Sequence, residues 1–253
     1  LLNKLDQKFK SKKSLKPIKN KKSISKNGLI AIMSQLKKFI VNLEDYKSET
    51  IWDSYSQDNS YSSNEEIEKK GIVKNFIKEN NFNILADLGC NDGEYSKIAL
   101  ENGTERVIGF DFDINSINRA FKISKDNNLN FLPLFFDATN PSSNLGWLEK
   151  ERQGFIARAK FDAVIALAFE HHLAIAKNIP LNQVIKWIIS LAPKGLIEFV
   201  PKTDKTIIKM LELKGDIFPD YNQKNFEAIL NQNAQSFLKT SIGDSGRIIY
   251  EFK

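Results

Sequence analysis

From residue 83 onward, short apolar runs alternate with helix-length segments, and this alternation leaves the chain few folds to adopt. The runs are "NILADLG" (83–89), "RVIGFD" (106–111), "NFLPLFF" (130–136), "FDAVIAL" (161–167) and "LIEFV" (196–200). They lack the polar alternation of a strand with one wet face, so both faces of the sheet are expected to be covered. Strand followed by helix means parallel neighbours, because a parallel pair needs a crossover and the helix supplies it. The end of the chain departs from this rule. After a helical pattern near Asn222 to Asn233 come "SFLKTSI", "GDSG" and "RIIYEF", two strands joined by a short turn. The expected architecture is α/β: a doubly wound, mostly parallel sheet finished by an antiparallel hairpin.

Ahead of the sheet, apolar residues at 29, 32, 33, 36, 39, 40 and 43 fall on one helix face. Ser63 followed by Glu66 has capping-box spacing, so a second helix is expected to run to about Asn80. The polar stretch between them holds Trp52, Tyr55 and Tyr61. These aromatics either form a lid over a ligand or anchor the linker to the core. The expected division is a lysine-rich tail or linker at 1–27, a helical extension and lid at 28–80, and the α/β domain at 81–253.

The net charge of +6 carries meaning only once it is located. Residues 1–27 hold ten lysines against Asp6, a balance of +9, which leaves 27 basic and 30 acidic residues, or −3, for the rest. The tail reads as a solvated segment, or else as an arm for RNA or an anionic membrane; contact with nucleic acid or an anionic surface is expected only there. Cys90 is the sole cysteine, so no intramolecular disulfide can form, and a reducing, cytoplasmic setting is expected. The longest apolar run, "AVIALAF" (163–169), is far short of the about 20 residues of a membrane-spanning helix. The chain opens on Leu-Leu with no signal-peptide core, the beginning expected of a trimmed chain or the later part of a longer one.

Open parallel sheets bind ligands beyond the carboxyl ends of their strands, where strand order reverses. The turn "DLGCNDG" after the first strand sits there, with Asp87, Gly89 and Gly93 in the pattern D-x-G-x-x-x-G. Gly89 permits a bend and close approach, and Gly93 lets a helix start tightly against the strand. A dinucleotide would want G-x-G-x-x-G and a helix start that attracts its pyrophosphate. Here the glycines are four apart, and Asp92 and Glu94 make the helix start acidic. A cationic or zwitterionic adenosine ligand, such as S-adenosylmethionine, matches better. Asp111 ends the second strand 22 residues beyond Gly89, where an acid can accept from both ribose hydroxyls, while Asp113 is free to cap the next helix. Asp137 ends the third strand, as an acceptor for an adenine amino group or as a turn residue.

Together, "DLGCNDG", "GFDFD", "FFDAT" and the closing hairpin make residues 81–253 resemble the class I S-adenosylmethionine-dependent methyltransferases, whose Rossmann-like sheet has seven strands. The stretches "FLPLFFDATNPSSNLGW", "ALAFEHHLAIAKNIPL", "IEFVPKTD" and "DIFPDY" are similar, more narrowly, to a nodulation-protein-related, NoeA-like group. The resemblance implies a transferase that uses S-adenosylmethionine and releases S-adenosylhomocysteine. The cofactor residues it implies are Asp87, Gly89, Cys90, Asn91, Gly93, Asp111, Phe112, Asp137, Ala138 and Ala168. Asn91 stands where the family's first motif has a glycine, which bears on the shape of the loop.

The acceptor side of such a fold follows the fourth and fifth strands. His171 and His172, both histidines of the chain, lie after the fourth and are the candidates for a general base. Adjacent helical residues point about 100° apart, so one of them is expected to face the ligand. Glu170, His171 and His172 in succession cannot converge on one ion from a regular helix, so no metal is expected. Glu198 and Lys202 in "IEFVPKTD" and Tyr221 in "DIFPDY" join Glu170, Trp52, Tyr55 and Tyr61 as candidate acceptor-binding residues. For Glu198 a structural hydrogen-bond role stands equally open, and "DIFPDY" reads first as a turn. A D/N-P-P-Y/F/W stretch, used on amino groups of nucleic-acid bases, is missing after the fourth strand, and Cys90 is misplaced for carbon-5 cytosine chemistry. The expected acceptor is therefore a small molecule, with a hydroxyl suiting a histidine base best. Three alternatives stay open: a module that binds the cofactor without turnover, a protein or RNA methyltransferase using the basic tail, and a nicotinamide-dependent oxidoreductase.

Overall fold

The structure, a computed structural model, describes residues 24–43 and 63–253. Most of the lysine-rich stretch, and Trp52, Tyr55 and Tyr61, therefore lie outside the described residues. The chain divides into two compact units, Leu1–Lys47 and Ser48–Lys253. What is described of the first is helix α1 (Lys26–Val41), which starts where the Ser25 hydroxyl accepts a hydrogen bond from the Gly28 N–H at 3.1 Å. None of its residues is buried.

The second unit carries a seven-stranded sheet in the order β3-β2-β1-β4-β5-β7-β6. Helix α2 (Ser63–Asn80) precedes β1 (Ile84–Leu88), α3 (Glu94–Glu101), β2 (Arg106–Asp111), α4 (Ile114–Asp126) and β3 (Phe131–Phe135). A long connection with a short helix α5 (Phe155–Arg158) leads to β4 (Ala163–Ala166), a π-type segment His172–Ala176, α6 (Leu181–Ser190) and β5 (Lys194–Phe199). Helices α7 (Lys205–Lys214) and α8 (Gln223–Asn233) and the hairpin of β6 (Phe237–Ile242) and β7 (Arg247–Phe252) complete it. The first five strands pair in parallel, and β7 pairs antiparallel with both β5 and β6. This is the architecture expected from the apolar runs, with the reversal of order at β1, between β2 and β4.

Strand periodicity sorts the core into two layers. Ala86 and Leu88 of β1 and Val164 and Ala166 of β4 pack with Val184, Ile185 and Ile188 of α6. Leu85 of β1, Ala163 and Ile165 of β4 and Leu196 of β5 pack with Val73, Phe76 and Ile77 of α2. By the same parity Asp87, Glu198 and Arg247 belong to the α2 side of the sheet, together with Leu85, Leu196 and Ile249. Polar caps start three of the helices: Asp113 accepts from the Ser116 N–H at 2.9 Å, Asp204 from Thr206 at 2.8 Å and Asn222 from Asn225 at 2.9 Å.

Candidate active site

The carboxyl ends of β1, β2, β3 and β4 open onto a cavity of about 690 Å³, within the range of small-molecule sites. The turn after β1 enters it under tight control. Gly89 (φ 74°) and Gly93 (φ 93°) are left-handed, and a Cβ on Gly93 would come within 2.4 Å of the Phe131 ring. A Cβ on Gly89 would meet Phe169 at 3.0 Å. Part of what the two glycines make room for is thus aromatic packing under the turn. Asn91 is also left-handed, at φ 49°, a conformation asparagine tolerates better than most residues, so its presence where the family motif has glycine leaves the loop intact.

Among the carboxylates that border this cavity are Asp87, Asp111 and Asp137. Asp87 is 2% exposed and accepts from the Ser96 hydroxyl at 2.6 Å. Desolvation pushes its pKa up to about 7, and the hydrogen bond from Ser96 works against that rise. Asp111 accepts from two backbone donors, Asn91 N–H and Asp113 N–H, both at 2.8 Å. Its carboxyl is nonetheless raised from the ordinary value, because burial outweighs those bonds. Its charge ties the β1 turn to the start of α4, and an ionised carboxylate with about four acceptor positions retains capacity for further donors. Asp137 accepts from the Thr139 hydroxyl at 2.7 Å and from its N–H at 2.9 Å, which lowers its pKa. The turn role open to Asp137 is thus realised, alongside its place on the cavity. Cys90, Asn91, Phe112, Ala138 and Ala168 line the same space, with Ala168 left-handed at φ 50°.

The two histidines separate. His172 borders the cavity, whereas His171 is 1% exposed and turned toward the interior, its Nδ1 2.9 Å from Glu170 Oε2. Burial, and then the neighbouring His171, depress the His172 pKa well below the ordinary value, so its imidazole is neutral at neutral pH. Glu170, fully buried, also accepts from the Tyr221 hydroxyl at 2.7 Å, and that hydroxyl lies 2.7 Å from the Val200 carbonyl.

Four residues read from the sequence as acceptor contacts lie away from the cavity lining. Glu170 and Tyr221 form the interior hydrogen-bond chain just described. Glu198 is fully buried between Lys69 Nζ, 2.7 Å from Oε2, and Arg247 Nη1, 3.0 Å from Oε1. For Glu198 the structural role held open by the sequence is the one realised, because an unneutralised carboxylate at this depth would be prohibitive. Lys202 reaches Asp216 at 2.6 Å and the Phe218 carbonyl at 2.7 Å, which folds the turn before α8.

Lys69 is a cavity residue that sequence reasoning missed. It is 2% exposed, borders the cavity from α2 and lies 5.1 Å over the Tyr95 ring. A signal was available: Lys69 falls in the stripe with Val73, Phe76 and Ile77, a charged residue at a core position of a helix. Lys177, 5.2 Å over the Phe112 ring, was missed as well. Among the described residues no group of three His, Cys, Asp or Glu side chains gathers to hold a metal ion. No helix of the described residues is long and apolar enough to cross a membrane.

Against known proteins, no family model matches the chain. The nodulation protein NoeA of Rhizobium meliloti (strain 1021) is 45% identical over 231 residues, 91% of this chain and 48% of NoeA. The chain is a NoeA homologue. It spans about half the length of that relative. The solved methyltransferase domain of bacterial CtHen1-CN matches 75% of this NoeA homologue and 100% of itself, at 16% identity and a TM-score of 0.51. WbdD matches 86% of it and 46% of its own chain, at 16% identity and a TM-score of 0.52. At such identities the likeness is one of fold. The sheet of this NoeA homologue, with its closing hairpin, is the class I methyltransferase fold.

Proposed function

We propose that the chain binds S-adenosylmethionine and transfers its methyl group to a small-molecule acceptor, in the first instance a hydroxyl. The observation that carries this reading is the convergence of Asp87, Asp111 and Asp137, from the ends of three strands, on one cavity beside a left-handed glycine turn. The residues present fit such a ligand. Asn91 Oδ1 is buried beside the cavity with no hydrogen-bond partner among the described residues, an acceptor available to ligand donors. Asp111 and Asp137 would hold ribose hydroxyls and the adenine amino group, and Asp87 is placed to meet a cationic group. The acidic lining disfavours a pyrophosphate, which argues against a dinucleotide.

S-adenosylmethionine supplies, when bound, an electrophilic methyl carbon on a sulfonium. The work left to the protein is alignment of an acceptor, exclusion of water and removal of a proton. His172 is the histidine placed on the cavity for the last task; burial keeps its imidazole neutral and at the same time weakens it as a base. His171, Glu170 and Tyr221 would hold the segment after β4 in place behind it.

Calorimetry with S-adenosylmethionine, S-adenosylhomocysteine and NAD tests the reading. Both sulfur ligands are expected to bind, and binding of NAD alone would overturn it. Transfer of labelled methyl groups into a metabolite extract then tests turnover; cofactor binding without any transfer would leave only a binding module.

A further inference from the structure

We infer that helix α1 is an interfacial anchor: it lies in the headgroup layer of an anionic lipid surface, its apolar stripe toward the acyl chains and its lysines on the lipid phosphates. This role is independent of the proposed methyl transfer.

At 3.6 residues per turn, Leu29, Ile32, Met33, Leu36, Phe39 and Ile40 fall on one face of α1, and Leu43, just past its end, continues the line. Each of these side chains is between 43% and 65% exposed. Asn27, Ser34, Gln35 and Lys38 make up the opposite side, and Lys26 and Lys37 flank one border of the stripe. Among the described residues of its own unit, nothing covers the stripe. A helix of 16 residues that buries none of them is marginal in water, so the stripe calls for a partner.

Charge selects that partner. Helix α1 carries Lys26, Lys37 and Lys38 and no acid, and it continues from a stretch in which ten lysines, Lys26 among them, outnumber a single acid, Asp6. A second copy of the helix would bury the stripe but would set lysine against lysine, with no carboxylate on either helix to offset the repulsion. RNA would take the lysines and leave the apolar side chains in water. An anionic bilayer satisfies both, because acyl chains accept the stripe and phosphates accept the lysines. The helix lies along such a surface and does not span it. Its 16 residues reach about 24 Å, against about 30 Å for a hydrocarbon core.

The test is flotation of the full chain with two kinds of vesicle: phosphatidylcholine alone, and phosphatidylcholine with phosphatidylglycerol in equal parts. Wild type is expected to float with the anionic vesicles and hardly with the neutral ones. Leu36→Glu with Phe39→Glu should weaken that binding about 100-fold or more, the scale of two apolar side chains no longer buried. Lys37→Glu with Lys38→Glu should weaken it about 10-fold or more. None of these side chains is buried, so the melting temperatures of both variants should match that of wild type, which separates lost binding from lost folding. Should the first variant fold poorly, the second decides, and its unchanged binding overturns the anchor. Wild type that floats with neither vesicle, or equally with both, overturns it. So does undiminished binding by Leu36→Glu with Phe39→Glu, which would assign the attraction to the lysines alone. Binding of mixed-sequence single-stranded RNA without vesicle binding would replace the anchor with a nucleic-acid arm. Self-association in ultracentrifugation that the two glutamates abolish, again without vesicle binding, would replace it with a helix pair.

Discussion

The rings of His171 and His172 lie 4.2 Å apart, yet only His172 borders the cavity, because Glu170 holds His171 from the interior. Two adjacent residues of one type thus occupy different environments, and their substitutions should have different consequences. His172→Ala is expected to lower methyl transfer about 100-fold or more, the usual contribution of a positioned base. The affinity for S-adenosylhomocysteine should change little. Labelled-methyl transfer and calorimetry on the same preparation check this, and full rate in His172→Ala would remove the base.

Asp87 makes ligand binding and stability depend on pH in opposite senses. Its folded pKa of about 7 lies above the ordinary value of 3.8, so its contribution to stability is present below pH 4 and lost as pH rises through 7. The loss amounts to at most about 4 kcal/mol by linkage. Affinity for an ammonium-bearing ligand should instead increase through the same window as the carboxylate ionises. Asp87→Asn should flatten both profiles; thermal melts and calorimetry between pH 5 and 8 read them. An unchanged slope in the variant would assign the titration to another group.

His172 titrates in the other direction. Its folded pKa is depressed, so stability is complete above the ordinary value of 6.5 and falls as pH drops below it toward the lower folded value. His172→Phe should lessen the loss of stability in mild acid. Denaturant unfolding at pH 5 and pH 7 measures the difference.

Glycine at two positions should answer oppositely to alanine. At Gly93 the left-handed backbone and the Phe131 ring both oppose a Cβ, and Gly93→Ala should cost about 2 kcal/mol or more. Gly71, within α2, has nothing within 4 Å of a built Cβ, and Gly71→Ala should stabilise by about 0.5–1 kcal/mol. Melting temperatures that move the same way would contradict the geometry.

Ion pairs should separate by depth. Arg247→Met leaves Glu198 and Asp204 short of their guanidinium and should cost about 3–5 kcal/mol, as when one partner of a buried pair is removed. Lys202→Ala removes a pair whose side chains are 28% and 50% exposed, where solvent screens the charges, and should cost far less than Arg247→Met. Urea unfolding of the two variants distinguishes them.

The sequence by itself determined the order of strands and helices, because mainly apolar runs alternate with helix-length segments that supply the crossovers. The expectation that both faces are covered fails at the edge strand β3, where Leu132 and Leu134 are 47% and 38% exposed. The sequence also placed Asp87, Asp111 and Asp137 at strand ends, where chain order alone puts them on one edge of a parallel sheet. Only the tertiary structure decided which polar residues of the interior meet one another. Lys69 and Glu198 are separated by most of the domain in sequence, and their pairing follows from α2 packing across β1 and β5. For the same reason Glu198, Lys202 and Tyr221 read as acceptor contacts along the chain, while in the fold each is turned toward an interior or surface partner. Periodicity specifies the face on which a side chain lies; which partner waits there depends on distant segments brought together by burial of their apolar neighbours.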